Sequence, residues 1–296
     1  MIASAPCKAI ILGEHFVVYG ARAIATAIES RVTVSAEQAR SIIVNGSEYS
    51  TMRKDDYGRV IADAVLRVAK MYGINPGMRI ESDCAELRGG GLGWSSAFCV
   101  AATHAAGMMC SKITGKEPPS RNDVLKTALD AERVASSVSG IDTTVSAYGG
   151  TILYDTKSEP QQIFHPRMLL RIKDTGLRHV TGEMLDIVRR FKYANESRFQ
   201  EIMDTHELLV DVALRAIKEA DLVALGGAMK SSQALLREIG ISNDAVDSMI
   251  QSADKTSYGS KITGAGGGGH IISLVDLTTQ SKNGSLCTNI GTDGVT

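Results

Sequence analysis

The chain has 296 residues, with 32 Lys and Arg against 33 Asp and Glu and a formal net charge of -1. That balance excludes the basic face of a nucleic-acid binder and the cationic patch of a protein held on an anionic membrane. The length fits two units of about 150 residues each, enough for an enzyme with a cleft between them.

The five cysteines (Cys7, Cys84, Cys99, Cys110, Cys287) are odd in number, scattered and without a CxxC pair. They argue against a disulfide framework or a zinc site, and for a reducing, cytoplasmic compartment. Pro6, Lys8 and Glu14 interrupt any signal-like apolar run. The stretch Ala97 to Cys110 contains His104 and is too short to span a bilayer, so it reads as a buried helix.

In chain order, residues 9 to 12 and the alternating run Arg31 to Ala36 predict strands, and Asn45-Gly46 predicts a tight hairpin. Apolar residues from Arg59 to Tyr72 recur at helical spacing, with Gly73 and Pro76 as the stop. A glycine-rich loop, Leu87 to Ser96, opens into the small-residue helix. Asp123 to Val134 predicts a helix, Ser136 to Gly140 a loop and Thr151 to Tyr154 a strand. The polar, proline-containing stretch Lys157 to Pro166 marks a boundary, giving expected domains at 1–160 and 161–296. Beyond it come a strand (Met168 to Ile172), helices near Glu183–Phe191, Phe199–Ala220, Leu222–Ile239 and Asp244–Ala253, a second glycine run and a strand from His270 to Val275. The tail Thr278 to Thr296 is the least structured part by this reading. Strands and helices mix without a βαβ repeat, so the expected class is α+β.

Four stretches carry chemistry. Gly89-Gly-Gly91-Leu-Gly93-Trp-Ser95-Ser-Ala97 lacks the Cβ atoms that would block an anion and leads into a helix N-terminus, which makes it a phosphate cradle in outline. No GK[ST] follows, so it is not a Walker loop, and alone it reads equally as a flexible turn. Gly264 to Gly269 holds four consecutive glycines after Ala265; their entropic cost points to a close backbone approach, to a ligand or to the other loop. Lys8 and Glu14-His15 flank the first strand and would by themselves be solvated charges. Asp142, in Ser139-Gly-Ile-Asp, reads alone as a helix N-cap.

Together and in this order, the four stretches resemble the signature of the GHMP kinases, the superfamily of galactokinase, homoserine kinase, mevalonate kinase and phosphomevalonate kinase. Similarity is strongest to archaeal mevalonate kinases and covers nearly the whole chain. The resemblance implies a two-domain fold, with an N-terminal domain like ribosomal protein S5 domain 2 and a ferredoxin-like C-terminal domain. It implies ATP and Mg²⁺ as cofactors and a small-molecule alcohol as substrate, with a homodimer as one assembly and neither nucleic acid nor membrane as partner. Asp142 and Lys8 take the catalytic positions. Gly89 to Ala97 (Gly89, Gly90, Gly91, Leu92, Gly93, Trp94, Ser95, Ser96, Ala97) hold ATP, with Ser95 and Glu132 near the metal. Glu14, His15, Thr181, Gly264, Ala265 and Gly266 line the substrate side.

Three departures bear on specificity. Trp94, the chain's one Trp, replaces a Ser of the cradle; Cys7 stands where Gly is usual; and the spacing from Glu132 to Asp142 is one residue short. Arg178 and His179 precede Thr181 where small or apolar residues are common, and an Arg suits a phosphate. The acceptor is therefore expected to be mevalonate or, alternatively, mevalonate 3-phosphate phosphorylated at its 5-hydroxyl, with a non-catalytic sensor as the remaining reading.

Overall fold

The computed structural model of the chain describes residues 1–53, 57–75, 77–83, 90–135, 138–178, 180–281 and 284–296. Two long strands found the first sheet: β1 (Ile2–Leu12) and β2 (Ala23–Ala39) pair antiparallel, joined through a 3-10 turn at Phe16–Tyr19. β3 (Ile43–Val44) and β4 (Ser47–Glu48) form the predicted hairpin, with Asn45 at φ 46 and Gly46 at φ 77, the two left-handed residues that a type I′ turn requires. After helix α1 (Tyr57–Met71) comes β5 (Gly77–Ser82), then the helices α2 (Trp94–Thr114), α3 (Arg121–Ala135) and α4 (Ile141–Tyr148). β6 (Thr151–Tyr154) and β7 (Gln161–Gln162) complete a seven-stranded sheet of order β4-β3-β5-β2-β6-β7, with β1 on the other side of β2.

The predicted strand 31–36 is only the middle of β2, which runs 17 residues. Its first six residues are all buried, so they show no alternation to read. Helix α2 is the centre of this half. Ala97, Val100, Ala101, Ala105 and Ala106 are fully buried, and small side chains let α1, α3 and the sheet pack against it on several sides.

The second sheet is antiparallel, of order β11-β8-β10-β9, from β8 (Leu169–Asp174), β9 (Gly259–Thr263), β10 (His270–Val275) and β11 (Ser285–Asn289). Helices α5 (Thr181–Ala194), α6 (Glu196–Glu219), α7 (Leu222–Glu238) and α8 (Asp244–Asp254) surround it. Asp221 and Asn243 cap α7 and α8 by accepting from Ala224 N at 2.9 Å and Val246 N at 3.0 Å. Strands β5, β9 and β11 have no counterpart among the predicted elements.

The described part of the tail from Ser285 on is structured, contrary to expectation. After β11 the chain crosses back to the first sheet, where Ser4 and Thr296 exchange backbone hydrogen bonds of 2.8 and 3.0 Å. The Arg31 guanidinium donates to the Asp293 and Gly294 carbonyls at 2.9 and 2.8 Å, so the polar composition of this segment reflects a latch. Among the described residues, no helix is long and apolar enough to cross a membrane.

Helix α7 lies on β9 with backbone against backbone. A Cβ placed on Gly259 would stand 2.1 Å from the Gly226 carbonyl oxygen. Gly259→Ala is therefore expected to destabilise the fold by ~1–3 kcal/mol, the usual cost of overpacking, read as a lower urea midpoint with an unchanged slope.

Candidate active site

The pairing of β1 with β2 shifts register between Pro6 and Lys8. Lys8 stays in register with Ala27 on β2 and donates its backbone N–H to the Leu92 carbonyl at 2.8 Å, which fastens the glycine loop to the strand. Its side chain is buried, and Nζ lies 3.2 Å from Asp142 Oδ1 and donates to the Gly91 carbonyl at 2.9 Å. Asp142 is not the N-cap read from the sequence. Gly140, at φ 91, holds that position, and Asp142 is the second residue of α4, where the helix dipole favours a carboxylate.

The two glycine tracts touch. A Cβ on Gly91 would meet the Thr263 carbonyl oxygen at 2.5 Å, and one on Gly264 would meet Gly91 Cα at 2.6 Å; both residues have φ above 80°. Only glycine allows this approach in this conformation. His270 Nδ1–H donates to the Gly90 carbonyl at 2.6 Å, and Asn243 to the Gly267 carbonyl at 3.0 Å, so each tract is tied down from the second sheet's side.

Two cavities open around these contacts. The larger, about 650 Å³, includes Lys8, Glu14, His15, Glu132, Asp142 and Thr181 in its lining; the smaller, about 260 Å³, lies between the glycine tracts. Lys8, Ser95, Asp142, Thr181, Gly264 and Ala265 border both. The first residues of α2, α4 and α5 all reach these walls, and none of the three helices has a side-chain cap from its N-cap residue. Three uncapped N-termini aimed at one space make it attractive to anions.

Glu132 is buried beside Ser95. Its carboxylate accepts from Ser96 Oγ at 2.8 Å and from Thr143 Oγ1. Burial pushes its carboxyl pKa up, and the Thr143 and Ser96 hydroxyls oppose that shift. Tyr57, whose hydroxyl donates to the Ser95 carbonyl, packs with Trp94 and Phe98 in one aromatic cluster. The replacement of a cradle hydroxyl by Trp94 thus adds a buried ring to the cavity wall.

Glu14 forms a fully buried ion pair with Lys261 of β9, joining the end of β1 to the second sheet. Burial drives the Glu14 pKa up and the Lys261 pKa down, each opposed by the partner's charge. His15, in the left-handed region at φ 60, donates from Nε2 to the Ala265 carbonyl at 2.8 Å. Burial lowers its pKa, so the ring is neutral with Nδ1 as the acceptor nitrogen.

Two expected residues stand elsewhere. Ala97 lines neither cavity, since its N–H is used inside α2, donating to Gly93 at 3.0 Å. Arg178 also lines neither; it grips Asp174 through two hydrogen bonds of 2.7 and 2.6 Å, holding that carboxyl well below the usual range. Gly89 and His179 lie outside the described residues. Gly90 to Ser96, Glu14, His15, Thr181, Gly264, Ala265 and Gly266 all border one cavity or both.

Residues 59–150 match the GHMP kinases N terminal domain and residues 213–283 the GHMP kinases C terminal family. The chain is 34% identical to a mevalonate kinase of Methanothermobacter thermautotrophicus, over 91% of this chain and 88% of that one. It is 32% identical to a mevalonate kinase of Archaeoglobus fulgidus, over 100% and 99%. The chain belongs to the GHMP kinase family. Solved structures agree in fold: one mevalonate kinase superposes with a TM-score of 0.79 at 22% identity, covering 99% of both chains. The Methanococcus jannaschii mevalonate kinase gives 0.77 at 22%, covering 98% of both. This GHMP kinase is a phosphotransferase with an alcohol group as acceptor, using ATP as donor.

Sequence reading did not single out Tyr57, Thr143, Lys261, Asp186 or Arg189 of this kinase. Thr143 and Lys261 lay within quoted motifs, but only the fold shows that they partner Glu132 and Glu14. Asp186 and Arg189 follow Thr181 in α5 by five and eight residues, a helical spacing that keeps all three on the cleft side once Thr181 is placed there.

Lys261→Met is expected to destabilise the protein by ~3–5 kcal/mol by leaving Glu14 buried and unpaired, with the Glu14→Gln, Lys261→Met double variant losing less. Urea unfolding of wild type and of the two variants checks this. Because the Glu132 pKa is raised above its ordinary 4.5 in the fold, the ligand-free folded chain keeps a proton that the unfolded chain releases. That contribution to stability is lost as pH rises from 4.5 through the raised value. Glu132→Gln should flatten this part of the profile, seen as a smaller drop in urea midpoint between pH 4.5 and neutrality than in the wild type.

Proposed function

We propose that this kinase transfers the γ-phosphoryl group of ATP to the primary 5-hydroxyl of mevalonate. The observation that carries the reading is the Lys8–Asp142 contact at the border shared by the two cavities, one walled by glycine backbone and the other by mixed polar and apolar side chains. The glycine-walled space suits the terminal phosphates, and the larger one suits a small branched hydroxy acid. Relatives named mevalonate kinase at 34% and 32% identity supply the acceptor's identity.

In this reading Asp142 accepts the proton of the acceptor hydroxyl as its oxygen bonds to the γ-phosphorus, while the bond from that phosphorus to the β-phosphate bridging oxygen breaks and ADP leaves. An ammonium has three N–H donors. Two of those on Lys8 meet Asp142 and the Gly91 carbonyl, which leaves one for a transferring phosphoryl oxygen. The same contact with Lys8 aims the Asp142 carboxylate.

Glu132 and Ser95 fit a magnesium ion chemically, as a carboxylate and a hydroxyl that line the same cavity, the oxygen donors that this hard cation prefers. When bound there with ATP, the ion supplies positive charge against the phosphates. Ser96 and Thr143 orient the Glu132 carboxylate.

The relatives named mevalonate kinase support the free acid over mevalonate 3-phosphate as acceptor, and Arg178, paired with Asp174, lines neither cavity. Coupled ADP-release assays test the proposal. Wild type should turn over mevalonate at least ten times faster than mevalonate 3-phosphate. Asp142→Asn should lower kcat by about 10²–10⁴-fold, the usual worth of a positioned base, with ATP still bound. Faster turnover of the 3-phosphate would replace the acceptor, and an Asp142→Asn variant of undiminished kcat would remove the base.

A further inference from the structure

We propose that Arg189 is the specificity residue that reads the acceptor's carboxylate; the idea rests on the mevalonate reading above. A hydroxy acid whose 5-hydroxyl lies at Asp142 extends its carboxylate away from the phosphates, into the larger cavity. Among the described residues lining that cavity, the cationic side chains are Lys8 and Arg189. Lys8 is committed to Asp142 and the glycine loop. Arg178, the guanidinium expected at the substrate from sequence, is turned onto Asp174.

The placement of Arg189 suits the task. Helix α5 presents Thr181, Gly182, Leu185, Asp186 and Arg189 to the cavity, so its wall runs from the phosphate border at Thr181 to Arg189, about 12 Å along the axis. Long side chains on a helix lean toward its N-terminus. Arg189 does so, reaching back to donate to Asp186 Oδ1 at 2.9 Å, which keeps its guanidinium on the cavity that Lys8 and Asp142 also line.

The Asp186 pair is solvent-facing, with side-chain exposures of 73% for Arg189 and 59% for Asp186, and a contact of that kind costs little to exchange. A guanidinium has five N–H donors, so Arg189 can keep Asp186 and still offer a fork to an entering carboxylate. Asp186 then has a second effect: without Arg189 its bare charge would repel an acid at the cavity wall. Removal of the guanidinium thus loses an attraction and uncovers a repulsion, both acting on binding and neither on the reacting oxygen.

The test compares wild type, Arg189→Ala and Arg189→Lys on mevalonate and on its neutral primary amide. Charge-assisted hydrogen bonds set the scale of the effect. Arg189→Ala should raise KM for the acid by about 10- to 100-fold, with kcat within about threefold and KM for ATP unchanged. Arg189→Lys should recover part of the loss. On the amide, Arg189→Ala should shift KM by less than about twofold. In wild type, KM for the acid should rise with ionic strength, and in Arg189→Ala that dependence should weaken. An unchanged KM for the acid in Arg189→Ala, or an equal rise for acid and amide, overturns the role of Arg189 while leaving the acceptor in place. Wild-type protein that turns over neither compound, or takes the amide as well as the acid, overturns the acceptor reading, and the role of Arg189 falls with it.

Discussion

At the floor of the cleft, Gly91 and Gly264 meet with no side chain between them, and Lys8, Glu14 and Lys261 are arranged around that contact. The glycine loop can accept Lys8 through both backbone and side chain because it is pressed against the second tract. The second tract continues β9, whose Lys261 holds Glu14, and the next residue, His15, donates to Ala265. A Cβ at either glycine would separate the two halves where the cavities meet. Of the four consecutive glycines that follow Ala265, Gly266, Gly268 and Gly269 leave no room for a Cβ against the Ile241, Leu177 and Gly90 carbonyls, so the run is explained partly by backbone packing, and the ligand space is what remains between the tracts.

Burying charge in such a site is expensive unless each charge has a partner. Lys8 faces Asp142 and Glu14 faces Lys261, and the two pairs lie close enough that each feels the other's field. The pairs differ in exposure in a way that matches different work. Asp142 keeps about a third of its side chain open, 34%, as a group that must meet a substrate would, while Glu14 and Lys261 are sealed at 0%. The second pair consequently acts as a fixed brace behind the first, and holds β1 to β9 on either side of the cleft.

Much of this was legible in sequence where local rules and tertiary needs coincide. Amphipathic or small-residue helices, the Asn45-Gly46 hairpin and both glycine tracts have signatures within a few residues of themselves. Strands β5, β9 and β11 did not, because each is at most six residues long and takes its identity from its neighbours in the sheet. In β9 a lysine sits at a fully buried position, which contradicts any pattern reading until its partner, 247 residues earlier in the chain, is known. Asp142 reads as a cap by itself, since nothing local tells a second helical residue from an N-cap when the turn begins with glycine. Arg178 failed for the opposite reason: a residue type suited to phosphate also satisfies a carboxylate four positions away, and the nearer partner won.

The charge balance of the cleft decides how a nucleotide can be held there. Among the described residues lining the glycine-walled cavity, the ionisable side chains are Lys8 and Asp142, which pair with each other. Side-chain charge there comes to no net excess. A triphosphate must therefore be held largely by other groups. Backbone N–H groups at the starts of α2, α4 and α5 supply directed positive potential at no cost in added side chains, and a divalent cation brought with the nucleotide would supply the rest beside Glu132. The raised pKa of Glu132 agrees with this division of labour: without a cation its charge is poorly supported by its surroundings, and a cation is the partner that would draw the carboxylate into its ionised form.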